Sequence, residues 1–200
     1  MSLPPTSQGR QPANLNRTTR FLLVLATFCG IVVAVLITLR LLGLLYPFYI
    51  PIASMAPAVS SGDHVIAEGL TLLKRKPHRG DIVVFKSDGI ASLKPGTTYD
   101  KRIVGEPGEH LRITDGKLYI NDKPVVITNK IGEINYPITE LMKSLNPKTD
   151  VIIPQGQYFV LGDNSTNSYD SRFWGCLPVE NIIGRIYFCY WPSTRIGEVK

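Results

Sequence analysis

Ile50-Pro51-Ile52-Ala53-Ser54-Met55-Ala56-Pro57, answered further along by Tyr99-Asp100-Lys101-Arg102-Ile103-Val104-Gly105, are the stretches around which the chain is organised. The first is a turn stiffened by Pro51 and Pro57, which present the Ser54 hydroxyl on a shaped backbone. The second reads as a strand, which sends Lys101 and Arg102 to opposite faces. A serine beside a lysine stripped of water is a nucleophile and base pair that needs neither histidine nor metal. For Lys101 to serve as the base it must be neutral, so the strand has to bury it on an apolar face that depresses its pKa.

Around these stretches, short apolar runs alternate with Gly, Pro, Asn and Asp. Examples are His64-Val65-Ile66-Ala67, Asp81-Ile82-Val83-Val84-Phe85, Lys117-Leu118-Tyr119-Ile120 and Gln157-Tyr158-Phe159-Val160-Leu161. Runs of this length and punctuation predict a mostly-β domain, a barrel or sandwich. Asp115-Gly116 and Asn121-Asp122 predict hairpin turns on either side of the 117–120 strand. Ile138, Leu141, Met142 and Leu145 fall at helix-face spacing, so 129–150 is expected to be an insertion that caps the domain.

Ahead of the domain, residues 1–20 are rich in Pro, Ser, Gln, Asn and Arg and are expected to form a disordered tail. Phe21 to Leu39 then carries no charge. As a helix it spans about 28 Å, close to the roughly 30 Å of a hydrocarbon core. The expected organisation is a cytoplasmic tail at 1–20, a transmembrane anchor at 21–45 and an extracytoplasmic domain at 46–200. The apolar run is longer than the core of a cleaved signal and lacks a small-x-small site after it, which favours a retained anchor. Arg10, Arg17 and Arg20 precede the run, so the positive-inside rule puts the N-terminus in the cytoplasm. Ser54 follows the run closely enough to be tethered near the bilayer surface.

The 200 residues are 44% hydrophobic, enough for one core. The net charge of +6 is scattered, with no recognition-helix signature, which argues against nucleic acid. No Cys-x-x-Cys or His-x-x-x-His spacing exists, so neither a metal nor another cofactor is expected. His64, His78 and His110 each sit beside a turn and none lies in a segment resembling a Ser-His-Asp motif. Of the three cysteines, Cys29 lies in the apolar run. Cys176 and Cys189 are open to pairing or to remaining buried thiols. A third polar segment, Gly162-Asp163-Asn164 through Ser168-Tyr169-Asp170-Ser171-Arg172-Phe173-Trp174-Gly175, reads as a loop stitched by its own hydrogen bonds. It is placed to supply carboxylates to Arg102 and Arg172.

Taken in order, these segments resemble the type I signal peptidases, membrane-anchored Ser/Lys proteases. The likeness also covers Pro47-Phe48-Tyr49-Ile50-Pro51, Gly62-Asp63, Arg79-Gly80-Asp81, Gly105-Glu106-Pro107-Gly108-Glu109, Gly184-Arg185 and Trp191-Pro192. It implies a signal-peptidase-like β domain that removes signal peptides from exported preproteins beside membrane phospholipid. Ser54 matches the nucleophile, Lys101 the general base and Ser168 the residue that orients that lysine. Asp170 with Arg172, and Arg102 with Asp163, match supporting ion pairs. Phe48, Ile50, Met55 and Tyr99 match residues around pockets for small side chains. Ile52 stands where many members carry a serine that helps bind the oxyanion. The competing readings are a tethered binding module that keeps this fold with little or no activity, and a self-cleaving repressor. The absence of a helix-turn-helix pattern before residue 47 argues against the repressor.

Overall fold

The computed structural model describes residues 16–70 and 74–199, so residues 1–15 of the expected tail lie outside the described residues. Two compact units divide the chain, one ending at Leu41 and the other running from Leu42. The first contains helix α1, Arg17–Leu41, which has no buried residue and includes an 18-residue stretch with a mean hydropathy of 2.9. Among the described residues it is the one helix long and apolar enough to cross a membrane. Its start lies within the stretch expected to be tail, because the Asn16 side chain accepts the Thr19 amide at 2.8 Å and caps the first turn. The helix ends at Leu41, and β1 already begins at Leu45.

The second unit is built from antiparallel strands in two sheets. Its strands are β1 Leu45–Tyr49, β2 His64–Glu68, β3 Ile82–Lys86, β4 Thr98–Gly105, β5 His110–Thr114, β6 Lys117–Ile120, β7 Lys123–Val125, β8 Asp150–Ile152, β9 Gln157–Leu161, β10 Leu177–Pro178, β11 Ile182–Trp191 and β12 Gly197–Glu198. The larger sheet runs β1-β2-β11-β3-β4-β9-β10, with β12 beside β11; the smaller runs β7-β6-β5-β8. The larger ladder is open, with β1 and β10 at the ends of its path.

The central strands read as unbroken apolar runs because both of their faces are covered. Ile82 and Val84 of β3 join Ile50, Met55, Ala58, Val59, Val65 and Ile186 in one cluster. Val83 and Phe85 turn the other way, to Ile103, Tyr158, Val160, Trp174 and Leu177. Val104 of β4 and Phe159 and Leu161 of β9 pack with Leu111, Leu118, Ile120 and Tyr136 beneath the smaller sheet. The two hairpins expected from the sequence form around β6. Asp115 and Gly116, then Asn121 and Asp122, have positive φ of 52°, 75°, 50° and 63°. That is the two-residue turn whose twist suits antiparallel strands.

The 129–150 segment is tied at its start by a bridge from Glu133 to Thr128, just before it, and contains one short helix, α2, Glu140–Lys143. Thr139 caps it by accepting the Met142 amide. The longer helix face expected from Ile138 to Leu145 does not form: Asn146 takes a φ of 50° and Pro147 follows, so the turn ends. Met142 is buried, but Leu141 and Leu145 are exposed. Cys176 and Cys189 are free thiols that belong to different core clusters.

Gly105 ends β4 where its pairing with β9 shifts register. A Cβ there would stand 2.4 Å from Ile153 Cδ1, 2.9 Å from Leu111 Cδ1 and 3.2 Å from Phe159 Cβ. These neighbours are essentially without exposure. Gly105→Ala is therefore expected to destabilise the domain by about 1–3 kcal/mol through overpacking. Urea unfolding measures this, and an unchanged midpoint would show that the core yields without cost.

Candidate active site

The Ser54 turn is fastened at both ends before any chemistry is considered. Ile50 donates its amide to Asp63 O at 2.9 Å, and Gly62 donates to Ile50 O at 2.8 Å. Within the turn, the Ala56 amide reaches Ala53 O and the Val59 amide reaches Met55 O. The Asp63 carboxylate accepts the Ser60 amide at 2.8 Å and the Arg195 guanidinium at 2.8 and 3.0 Å. Arg195 also donates to Pro57 O and Ala58 O. From the other side, Asn164 donates its amide to Ser54 O and its side-chain NH2 to Ala53 O, each at 3.1 Å.

Gly162 permits this approach. A Cβ on it would lie 2.2 Å from Ser168 Oγ and 2.6 Å from Ser54 O, so any side chain would separate the polar segment from the turn.

Lys101 arrives from β4, opposite Val83 of β3. It is 3% exposed and Ser54 7%. Its Nζ lies 2.8 Å from Ser54 Oγ and donates to Asp100 O, also at 2.8 Å. Burial lowers the Lys101 pKa, and the nearby Asp100, Asp170 and Asp163 carboxyls oppose that shift without overcoming it. The lysine is therefore biased toward the free amine, whose lone pair can accept the Ser54 hydroxyl proton.

Two of those carboxylates have arginine partners. Arg102 points to the opposite face from Lys101 and grips Asp163 through two contacts of 2.7 Å. Asp170 is fully buried, accepts Arg172 Nε and NH2 at 2.8 Å, and takes the Gly162 amide at 3.1 Å. Asp170 also caps helix α3, Ser171–Trp174, by accepting the Arg172 amide. Arg172 in turn donates to Ser165 O at 2.7 Å, and Ser171 Oγ accepts the Val160 amide.

A cavity of about 370 Å³ opens over the pair, lined by Ser54, Lys101, Ser168, Ile52, Tyr99 and residues of the 139–145 and 166–173 segments. Ser168 is on this wall, but its Oγ is buried and forms no hydrogen bond among the described residues. Phe48, Ile50 and Tyr99 line a second cavity of about 230 Å³. Met55 lines neither of these cavities; it is fully buried with Ile50, Ala58 and Val59. Among the described residues no group of three His, Cys, Asp or Glu side chains is placed to hold a metal ion.

The sequence reading had not singled out Arg195, Asn164 or Asp100. Asn164 lay inside the polar segment already marked, whereas Arg195 follows the last matched motif and had no local signal.

The stability of the domain should carry the mark of the buried amine. In the unfolded chain Lys101 keeps its ordinary pKa, roughly 10.4, and in the fold that pKa is lower. Between the two the unfolded state binds more protons, so wild-type stability rises with pH across that window. Lys101→Met removes the group, and its stability in urea should lack this rise from neutral pH to about pH 10. Parallel curves would mean that the lysine is charged in both states.

Comparison with known proteins agrees with the geometry. Residues 20–191 match the family described as "Signal peptidase, peptidase S26". The chain is 36% identical over 179 residues to thylakoidal processing peptidase 1 of Arabidopsis thaliana, covering 86% of this chain and 49% of that one. It is 37% identical over 150 residues to a probable signal peptidase I-2 of Synechocystis, covering 74% and 64%. A signal peptidase I of Leptolyngbya laminosa is 37% identical over 154 residues, covering 76% and 71%. The alignments thus span about half to two thirds of the first relatives' length. With a family match over most of its length and a buried Ser54–Lys101 contact at its centre, the chain belongs to the signal peptidase family, peptidase S26.

Proposed function

We propose that this protein is a membrane-bound serine endopeptidase that removes N-terminal signal peptides from exported preproteins, cutting after small residues of the Ala-x-Ala type. The observation that carries the reading is the 2.8 Å approach of Lys101 Nζ to Ser54 Oγ, both groups buried and the lysine pKa lowered by that burial.

In the proposed mechanism the Ser54 hydroxyl attacks the carbonyl carbon of the scissile bond while Lys101 Nζ takes its proton. The ammonium so formed has three donors. Asp100 O already accepts one, and the unpaired Ser168 Oγ on the same cavity wall is assigned a second, its role in orienting the lysine. The tetrahedral intermediate collapses, and the proton passes from Lys101 to the leaving amine. Water then attacks the Ser54 ester, again with Lys101 as the base, and restores the hydroxyl.

The oxyanion is assigned to backbone donors. The Ser54 amide makes no hydrogen bond among the described residues, and Ile52, 60% exposed on the cavity wall, has no side-chain donor to offer. The preference for small side chains is assigned to the two cavities beside the pair. Phe48, Ile50 and Tyr99 form the walls of one of them, and Met55 fixes the turn from the core side.

We assign α1 as the anchor, with its arginine-rich N-terminal side cytoplasmic and the β domain on the extracytoplasmic side of a plasma or inner membrane. Ile52, Leu141, Leu145 and Tyr169 are exposed on the rim of the larger cavity. Such a group of apolar side chains suits contact with phospholipid near the site.

The test is cleavage of a preprotein with an Ala-x-Ala site by the full chain in detergent. Cutting should occur after the second alanine, and Ser54→Ala and Lys101→Ala should each lower kcat/KM by about 10³-fold or more. The rate should rise with pH on its acid limb as Lys101 loses its proton. A Lys101→Ala variant that cuts at the wild-type rate would remove the proposed base.

A further inference from the structure

Asn164 stands where the polar segment meets the Ser54 turn, and its side chain has no task in its own loop. Its backbone, with φ of −82° and ψ of 70°, lies in a region that does not call for asparagine. It precedes the single turn of 3-10 helix Ser165–Asn167, where an asparagine ordinarily caps by accepting a backbone amide, but no side-chain cap forms there. Its side-chain NH2 crosses instead to Ala53 O, and its main-chain amide donates to Ser54 O, each at 3.1 Å. One residue thus holds two consecutive carbonyls, one on either side of the Ser54 nitrogen. The two residues before it fix its place: Arg102 grips both oxygens of Asp163, and the Gly162 amide is bound by Asp170.

Ala53 O and the Ser54 N–H belong to one peptide group. That group is planar and trans, so its C=O and N–H point in opposite directions. Two donors converge on the carbonyl end, the Asn164 NH2 at 3.1 Å and the Ala56 amide at 3.2 Å, and together they use both acceptor sites of that oxygen. At the other end the Ser54 N–H makes no hydrogen bond among the described residues, and Ser54 lines the larger cavity. Holding the oxygen sets the plane of the group and therefore the direction of the N–H. It also polarises the amide. Hydrogen bonds in series strengthen one another by roughly 10–30% per bond, so a peptide group bonded at its oxygen is a better donor at its nitrogen.

We propose that Asn164 is a positioning residue for the oxyanion: its side-chain amide, through Ala53 O, aims and polarises the Ser54 N–H that receives the negative oxygen of the tetrahedral intermediate. The inference rests on the peptidase reading above and adds a residue to it. A bond that only braced the turn would serve the resting enzyme and the transition state alike, whereas one that aims an oxyanion donor acts when the charge forms. Asn164→Ala removes this one bond and keeps the main-chain bond to Ser54 O and the clamp of Arg195 on Asp63.

The test pairs a peptide aldehyde that ends in alaninal with the corresponding alcohol, both given to the full chain in detergent. Ser54 Oγ adds to the aldehyde carbon, the C=O π bond opens, and the hydroxyl proton passes to Lys101. The former carbonyl oxygen then carries the negative charge that the Ser54 amide meets. The alcohol has no carbonyl and cannot form this adduct. Wild type should hold the aldehyde more tightly than the alcohol. Asn164→Ala should cut that advantage about tenfold, less than the roughly 10²–10³ lost with a direct oxyanion donor, and leave the alcohol Kd unchanged. On an Ala-x-Ala preprotein it should lower kcat by a similar factor without moving KM or the acid limb of the pH profile. In nitrogen-15-labelled wild type the Ser54 amide proton should move downfield when the adduct forms, and in Asn164→Ala it should move less.

An aldehyde advantage that Asn164→Ala leaves intact, or a loss shared equally by aldehyde and alcohol, overturns the inference; the preprotein is still cut by wild type and the peptidase reading stands. A lower kcat with an undiminished shift of the Ser54 amide also overturns it, since Asn164 would then only brace the turn. An unmoved Ser54 amide in the wild-type adduct overturns it without any variant. A wild-type chain that neither cuts the preprotein nor prefers the aldehyde overturns the peptidase reading, and the inference falls with it. Should Asn164→Ala fail to fold, Asn164→Ser, whose side chain is too short to reach Ala53 O, takes its place in every comparison.

Discussion

A lysine held out of water within hydrogen-bonding distance of a serine is the constraint on which the rest of this domain depends. An amine in that position stays neutral only while the carboxyl groups near it are themselves neutral or paired: burial pushes the Asp100 pKa up toward its neutral form, and the other two are held by arginines. Asp163 and Asp170 both act on Lys101, and each is bound on two oxygens by a buried arginine, Arg102 and Arg172. Buried ion pairs are poor sources of net stability, because desolvation offsets most of the attraction. Their value here is local: each arginine cancels the field of a carboxylate that would otherwise hold Lys101 charged. The same carboxylates accept backbone and capping bonds around Gly162 and α3, so charge compensation and loop geometry are one arrangement.

The Ser54 turn is positioned by residues far from it along the chain. Asn164 is 111 positions from Ala53, whose carbonyl it meets, and Arg195 is 132 positions from Asp63. Local turn chemistry therefore cannot place Ser54 by itself. The turn acquires its shape only when β9, the polar segment after it and the C-terminal strands have assembled. Gly162 sets the closeness of that assembly, since its missing Cβ is the space occupied by Ser168 and the Ser54 carbonyl.

What was legible in the sequence divides along the same line between local and distant causes. The strands at 64–68, 82–86, 117–120 and 157–161 were readable because apolar runs of strand length lie between turn residues. The hairpins at Asp115-Gly116 and Asn121-Asp122 were readable because positive φ selects those residue types. Lys101 and Arg102 were readable as opposed side chains from strand geometry alone, but only the fold shows that both faces are covered. The helix face expected from Ile138 to Leu145 shrank to Glu140–Lys143 because Asn146 and Pro147 end the turn, a local signal that outweighs the spacing of Ile138, Leu141, Met142 and Leu145. The clamp of Arg195 on Asp63 and the orphaned oxygen of Asp100 had no local signature: each exists only because distant strands meet.

The substitution at position 52 connects these points. A serine side chain is a flexible oxyanion donor, since its hydroxyl must be held in one of several rotamers before it helps. Ile52 offers no such donor, and under the proposed mechanism the task falls to backbone amides. A backbone amide is aimed by φ and ψ alone, so its precision equals that of the turn that carries it. In this chain that turn is closed internally by Ala53 and Met55, fastened by Asn164 on one side and by Asp63 with Arg195 on the other, and backed by fully buried Met55, Ala58 and Val59. Under the proposed mechanism, a turn held at that many points would supply, through rigidity, the directional charge stabilisation that a neighbouring hydroxyl would otherwise contribute.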